Sequence, residues 1–165
     1  MKILGIDPGT ATTGYGVIQT GPKASYTLID YGLVETTKDQ PRGARLKLIH
    51  TGISEIIAKH APEVVAIERL FFATNALTAI AVGQVIGVIL LAVQDHALPV
   101  FDYTPMQVKL YVGGHGKADK SVIKKQIWKL FHIKAKKGHQ THFDNSADAL
   151  AIAVCHAIKS TTAAV

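Results

Sequence analysis

Residues 2–19 read KILGIDPGTATTGYGVIQ, and the rest of the chain is organised around them. Ile3-Leu4-Gly5-Ile6 is an apolar run long enough for a buried strand. It ends on a carboxylate, Asp7. Pro8-Gly9-Thr10 supplies turn chemistry, with Pro presetting φ and Gly free to take φ > 0. Gly14-Tyr15-Gly16-Val17-Ile18 reads as a second strand. A buried strand with Asp at its end delivers one negative charge to a sheet edge. Two readings of Asp7 stand at this point: a turn cap through its own backbone, or a charge placed for chemistry.

The 165 residues fit one domain with a real core. Apolar residues make up 48%, which excludes a disordered chain. A net charge of +6 and a pI near 9.4 favour an anionic partner, nucleic acid first. The single cysteine, Cys155, excludes an internal disulfide and any cysteine-based zinc site, and it accords with a cytoplasmic setting. Met1-Lys2 runs straight into the first strand, so no signal peptide is expected. Ala76 to Val93 is apolar enough to imitate a membrane span. Gln84 lies mid-run and soluble-looking segments flank it, so a core or dimer-interface helix is expected and no membrane.

Outward from the opening stretch, Ser25 to Glu35 reads as a third strand of an antiparallel meander. Pro41-Arg42-Gly43 reads as a break, and Ala44 to His60 as a helix with Leu46, Ile49, Ile53 and Ile56-Ile57 on one face. Ala61-Pro62 ends it. Val64-Val65-Ala66-Ile67-Glu68 is a second short buried strand ending on a carboxylate. A strand reached through a helix is parallel to its neighbour by a right-handed crossover, which would bring Glu68 to the edge that holds Asp7. The apolar helix follows from near Asn75, then a strand over Leu98 to Thr104, and a short helix from Pro105 through Tyr111. Gly113 to Gly116 is a loop, Asp119-Lys120-Ser121 opens a helix to Phe131, and His132 to His142 is basic and loop-like. The last helix is placed from about Asp144 to Lys159.

That last helix begins DNSADALAI. Asp144 and Asn145 lie four and three residues before Asp148, on one helical face. From Ala149 onward the helix is small or apolar, so Asp148 is carried near buried surface, where an unpaired carboxylate is costly. N-capping accounts for Asp144 but poorly for Asp148. Asp7, Glu68 and Asp148 together form an all-oxygen donor set suited to Mg²⁺. Two such ions promote phosphodiester hydrolysis.

Ile3 to Gly9, Thr13-Gly14-Tyr15-Gly16, Ala66-Ile67-Glu68, Gly83-Gln84 and Ala147 to Ala153 resemble, in order, the RuvC family of bacterial Holliday-junction resolvases. The similarity runs to about Ala157. It implies an α/β, ribonuclease-H-like fold, a five-stranded mixed sheet flanked by helices, in one nuclease domain over 1–160 with a tail at 161–165. It also implies a homodimer, paired ligatable nicks in four-way junction DNA, and two Mg²⁺ ions per site with Mn²⁺ as substitute. By motif match Asp7, Glu68 and Asp148 are the catalytic, metal-holding carboxylates. The family works with the branch-migration proteins RuvA and RuvB. One position departs: the family usually has Asp or His where this chain has Asn145. An amide can ligate a metal but carries no charge. Either Asn145 is an inactivating substitution or Asp144 or His142 takes over.

Phe71 and Phe72 follow Glu68 closely and read as core or as base-stacking aromatics. In the resemblance the residue matching Phe71 stacks on a base, and Lys109 and Lys120 match lysines near the DNA backbone. Lys117, Lys134, Lys136 and Lys137 extend the basic surface without a firm motif. His115, His132, His139 and His142 fit no tight zinc spacing. Trp128 and Cys155 read as core. Two other functions compete: a junction-binding protein with little cleavage, favoured by Asn145, and a sugar-kinase-like ATPase, suggested by the turn after Asp7. The ATPase needs two such domains, and this chain is too short for them.

Overall fold

The computed structural model describes residues 1–69, 76–133 and 140–162, with the backbone alone for 76–77 and 140–145. Lys2–Asp7 forms strand β1 and Thr12–Thr20 forms β2, paired antiparallel with Asp7 opposite Gly14. A 3-10 turn at Pro22–Ala24 leads into β3, Tyr26–Glu35, antiparallel to β2. Helix α1 spans Arg42–His60. The expected break at Pro41-Arg42-Gly43 is instead the helix start: Pro41 is the N-cap, and Arg42 and Gly43 form the first turn. The first helical N–H groups have no intrahelical acceptor, so a Pro there removes nothing. Ala61, at φ 45°, closes α1 in the left-handed region ahead of Pro62.

Strand β4 is Val64–Glu68, followed by helix α2 at Ala76–Asp95 and strand β5 at Val100–Tyr103. Helix α3 covers Pro105–Gly113, capped by a reciprocal Thr104–Gln107 box, and α4 covers Lys120–Phe131 with Asp119 as N-cap. Helix α5 runs Gln140–Thr162. It therefore starts before Asp144, so Gln140 to His142 are helical rather than loop, and Asp144 is inside the helix rather than capping it. It also continues two residues into the stretch read as a tail.

The sheet order is β3-β2-β1-β4-β5, with β4 parallel to both β1 and β5. Strand alternation divides the core in two. Leu4, Ile6, Val65 and Ile67 meet α1 and α2 on one face. Ile3, Val64 and Ala66 meet α3, α4 and α5 on the other. Asp7 and Glu68 are in phase with this second set. Gly5 makes the α5 approach possible: a Cβ there would stand 2.1 Å from the Ala149 carbonyl oxygen and 2.8 Å from the Ala153 amide nitrogen. Gly16, on the neighbouring strand, faces the Leu150 side chain in the same way, at 2.5 Å. Two glycines thus let the α5 backbone lie directly on β1 and β2, beside Asp7.

Candidate active site

The register Ile6–Ile67 places Asp7 and Glu68 next in line on two adjacent parallel strands, at their shared C-terminal edge. Ala149 rests on Gly5, so Asp148, one residue earlier on α5, hangs over that same edge. The three carboxylates line one cleft of about 300 Å³ with Pro105, Val108 and Lys109 of α3 and Lys120 and Ile123 of α4. The turn that carries Asp7 is braced from behind. Thr13, fully buried, donates its hydroxyl to the Gly9 carbonyl at 3.0 Å. The Thr36 hydroxyl donates to the Thr10 carbonyl at 2.7 Å, and the Arg45 guanidinium donates to that carbonyl and to the Thr36 oxygen.

The charges in the cleft are unbalanced. Burial, then the Glu68 and Asp148 charges, push Asp7 up to about 8, against a smaller pull down from Lys120. Glu68 is raised as well, by burial and then by Asp148, with a hydrogen bond from Asp7 and the Lys120 charge opposing. Both carboxyls are therefore harder to ionise than an ordinary exposed acid. Lys120 supplies the countercharge: its Nζ lies 2.5 Å from Asp148 Oδ2. Partial burial draws its ammonium down, but the Asp148 bond and the charges of Asp148, Asp7 and Glu68 raise it overall. Among the described residues no three acidic, histidine or cysteine side chains are gathered tightly enough to chelate one ion. Asp148 is paired with an ammonium instead.

A family profile described as "Crossover junction endodeoxyribonuclease RuvC" matches residues 3–156. The chain belongs to the RuvC family. A curated RuvC of Desulforamulus reducens is 45% identical over 163 residues, covering 98% of this chain and 96% of the relative. That of Caldicellulosiruptor saccharolyticus is 41% identical over 162 residues, with 98% and 95% covered. Among solved structures, "T. thermophilus RuvC in complex with Holliday junction substrate" is similar with a TM-score of 0.89 at 32% identity, over 99% of this chain and 96% of that one. The fold is the α/β, ribonuclease-H-like one of the RuvC structures.

Of the site residues read from sequence, the structure brings Asp7, Glu68, Asp148, Lys109 and Lys120 into one cleft. Lys117 lies exposed in the turn between α3 and α4 and does not line it. Phe71 and Phe72, Lys134, Lys136, Lys137 and His139 lie outside the described residues, as do the side chains of Asn145, Asp144 and His142. Cys155 is buried, whereas Trp128 is only half-buried. Gly5 and Arg45 do not stand out in the sequence. Gly5 has no signal of its own within an apolar run, and Arg45 reads as one more polar-face cation of α1.

Proposed function

We propose that this chain cuts four-way DNA junctions by paired, ligatable nicks, acting as a homodimer. The cleft of three carboxylates flanked by Lys109 and Lys120, in a chain matching the RuvC family from residue 3 to 156, carries the reading. The donor set fits a hard divalent cation: it is all oxygen, and burial together with the Glu68 and Asp148 charges raises Asp7 to about 8, a cost that a cation would relieve. We assign Asp7, Glu68 and Asp148 as the holders of two Mg²⁺ ions, with Mn²⁺ as substitute. When bound, such ions acidify a water and neutralise charge building on phosphate oxygens.

The chain's own residues do the rest. Asp7 and Glu68 are fixed on neighbouring strands, and the braced turn behind Asp7 keeps its carboxyl at the edge. Lys120 holds Asp148 over the cleft. Lys109, half-buried at the rim, faces an incoming phosphate. We assign base stacking to Phe71 and Phe72, and a subsidiary backbone contact to Lys117. Asn145 stands three residues before Asp148 on the α5 backbone, where an Asp would add a fourth carboxylate.

The dimer reading rests on α2. Thr78–Asp95 is long and apolar enough to cross a membrane by length and composition. Its inner face packs with α1 on the sheet through Val85, Ile89, Ala92 and Val93. Ile80, Leu90 and Leu91 remain exposed, and space is open over Gly83 and Gly87 between them. A second copy of that face would cover it, and a two-fold pair offers one cleft to each of two equivalent junction strands. The cytoplasm and the partners RuvA and RuvB complete the proposed setting.

A second reading, a junction binder that cuts little, is favoured by Asn145. A nicking assay on a synthetic junction in Mg²⁺, run beside a gel shift, decides between them. Paired symmetric nicks support the enzyme. Binding without nicks supports the second reading, and absence of both refutes the two together.

A further inference from the structure

A second cleft, of about 330 Å³, opens on the α1–α2 face and reaches the Thr10 turn. Its polar lining is Thr10, Lys38, Gln40, Arg42, Arg45 and Gln84, on an apolar floor from α1 and α2. Among the described residues three cations line it and no carboxylate does. Arg42 and Arg45 stand three apart on one helix, where like charges repel. Neither Lys38 nor Arg42 makes a hydrogen bond or ion pair among the described residues. Arg45 spends Nε on Thr36 and Nη2 on the Thr10 carbonyl, both neutral oxygens, and its Nη1 end has no protein partner among the described residues. Arg45 braces the Thr10 turn, but Lys38 and Arg42 hold nothing among the described residues, and an anion in the cleft would offset the repulsion.

We propose that this cleft seats a phosphate of the DNA backbone, distinct from the phosphate at the carboxylates. The inference rests on the reading that the chain binds junction DNA. Placement argues for DNA rather than a free anion. Thr10 is three residues from Asp7, so the two clefts are joined by at most about 11 Å of chain. A duplex strand presents a phosphate about every 3.4 Å of axis. A strand held at the carboxylates therefore brings further phosphates within reach of Lys38 and Arg42. Seating one leaves the Arg45 bonds to the Asp7 turn intact, because they use other nitrogens of the same guanidinium.

The test is the salt dependence of junction binding, read by fluorescence anisotropy in EDTA. Lys38→Ala with Arg42→Ala is compared with wild type and with a charge-matched control, Lys23→Ala with Lys47→Ala, two exposed lysines outside the cleft. Each phosphate bound contributes about −0.9 to the log–log slope on duplex arms. The cleft variant should be shallower by about 0.9, and the control should keep the wild-type slope. A cleft variant with the wild-type slope, or a control that flattens as much, overturns this proposal alone. A wild-type chain that binds no junction overturns it together with the functional reading beneath it.

Discussion

Replacing Asp7 with Asn should stabilise the metal-free fold while abolishing cutting, and the gain in stability should grow with pH. Folding raises Asp7 from an ordinary 3.8 to about 8, through burial first and then the charges of Glu68 and Asp148. Below about pH 4 both folded and unfolded chains keep the proton, so wild type and variant match. Between about 4 and 8 the unfolded chain is ionised and the folded one is not. Folding must then take up a proton, and wild-type stability falls as pH rises. Above about 8 both states are ionised and the loss is complete. A span of about four pH units at about 1.4 kcal/mol each sets an upper limit of about 6 kcal/mol. Solvent in the open cleft and the Lys120 ammonium screen the charge, so the expected gain is on the order of 2 to 3 kcal/mol. Urea unfolding in EDTA, followed by circular dichroism, measures it. The variant should lead by about 1 kcal/mol or less at pH 4.5 and by about 2 to 3 kcal/mol at pH 8.5. Millimolar Mg²⁺ should stabilise wild type and not the variant, narrowing the gap. A lead that is the same at both pH values would refute a charge imbalance in the cleft.

Lys109→Ala with Lys120→Ala should cut at least tenfold more slowly and bind junctions with a salt slope shallower by about 0.9 for each phosphate no longer held; an unchanged slope means neither lysine meets phosphate. Ile80→Asp with Leu91→Asp should give a monomer by light scattering at micromolar concentration, since two charges would lie in the apolar face of α2. Asn145→Asp should raise the cleavage rate on the order of tenfold; an unchanged rate, with loss of cutting in Asp144→Ala, would transfer the role to Asp144. Gly5→Ala should destabilise the fold by about 1 to 3 kcal/mol, because its methyl group meets α5 backbone that cannot turn aside, and it should slow cutting by lifting Asp148 away from Asp7.

The legible parts of this chain are those written in short-range chemistry. Val64 to Glu68 is apolar, brief and bounded, and its limits match the strand found. The crossover rule then places Glu68 beside Asp7 from sequence alone, and the register bears this out. Boundaries fail where two local signals disagree. Pro41-Arg42-Gly43 carries breaker residues, yet Pro belongs as readily at a helix start as in a turn. Gln140 to His142 reads as basic loop because no apolar period reaches that far. There the helix follows from continuity with the buried segment after Ser146 rather than from its own residues. Arg45 is illegible for another reason. Its role is to hold a carbonyl 35 positions away in sequence, and no local pattern encodes such a partner.

Close backbone packing also explains how a site can be built from three separate segments. Ordinary packing places a carboxylate at a strand end only if the helix above it leaves room, and most helices over a sheet stand off by the length of their side chains. Gly5 and Gly16 remove that spacing, so α5 lies against the strands with its backbone, and Asp148 comes down to the level of Asp7 and Glu68. Closeness and repulsion thus arrive together: the packing that assembles the cleft also pushes Asp7 to about 8. The fold sustains this because the cost is local, whereas two apolar layers, one on each face of the sheet, bury Ile3 to Ile6 and Val64 to Ile67 completely or nearly so. A core of that extent can hold an unfavourable cluster of acids in place until a cation arrives. The Lys120–Asp148 pair is the partial neutralisation that the chain supplies for itself.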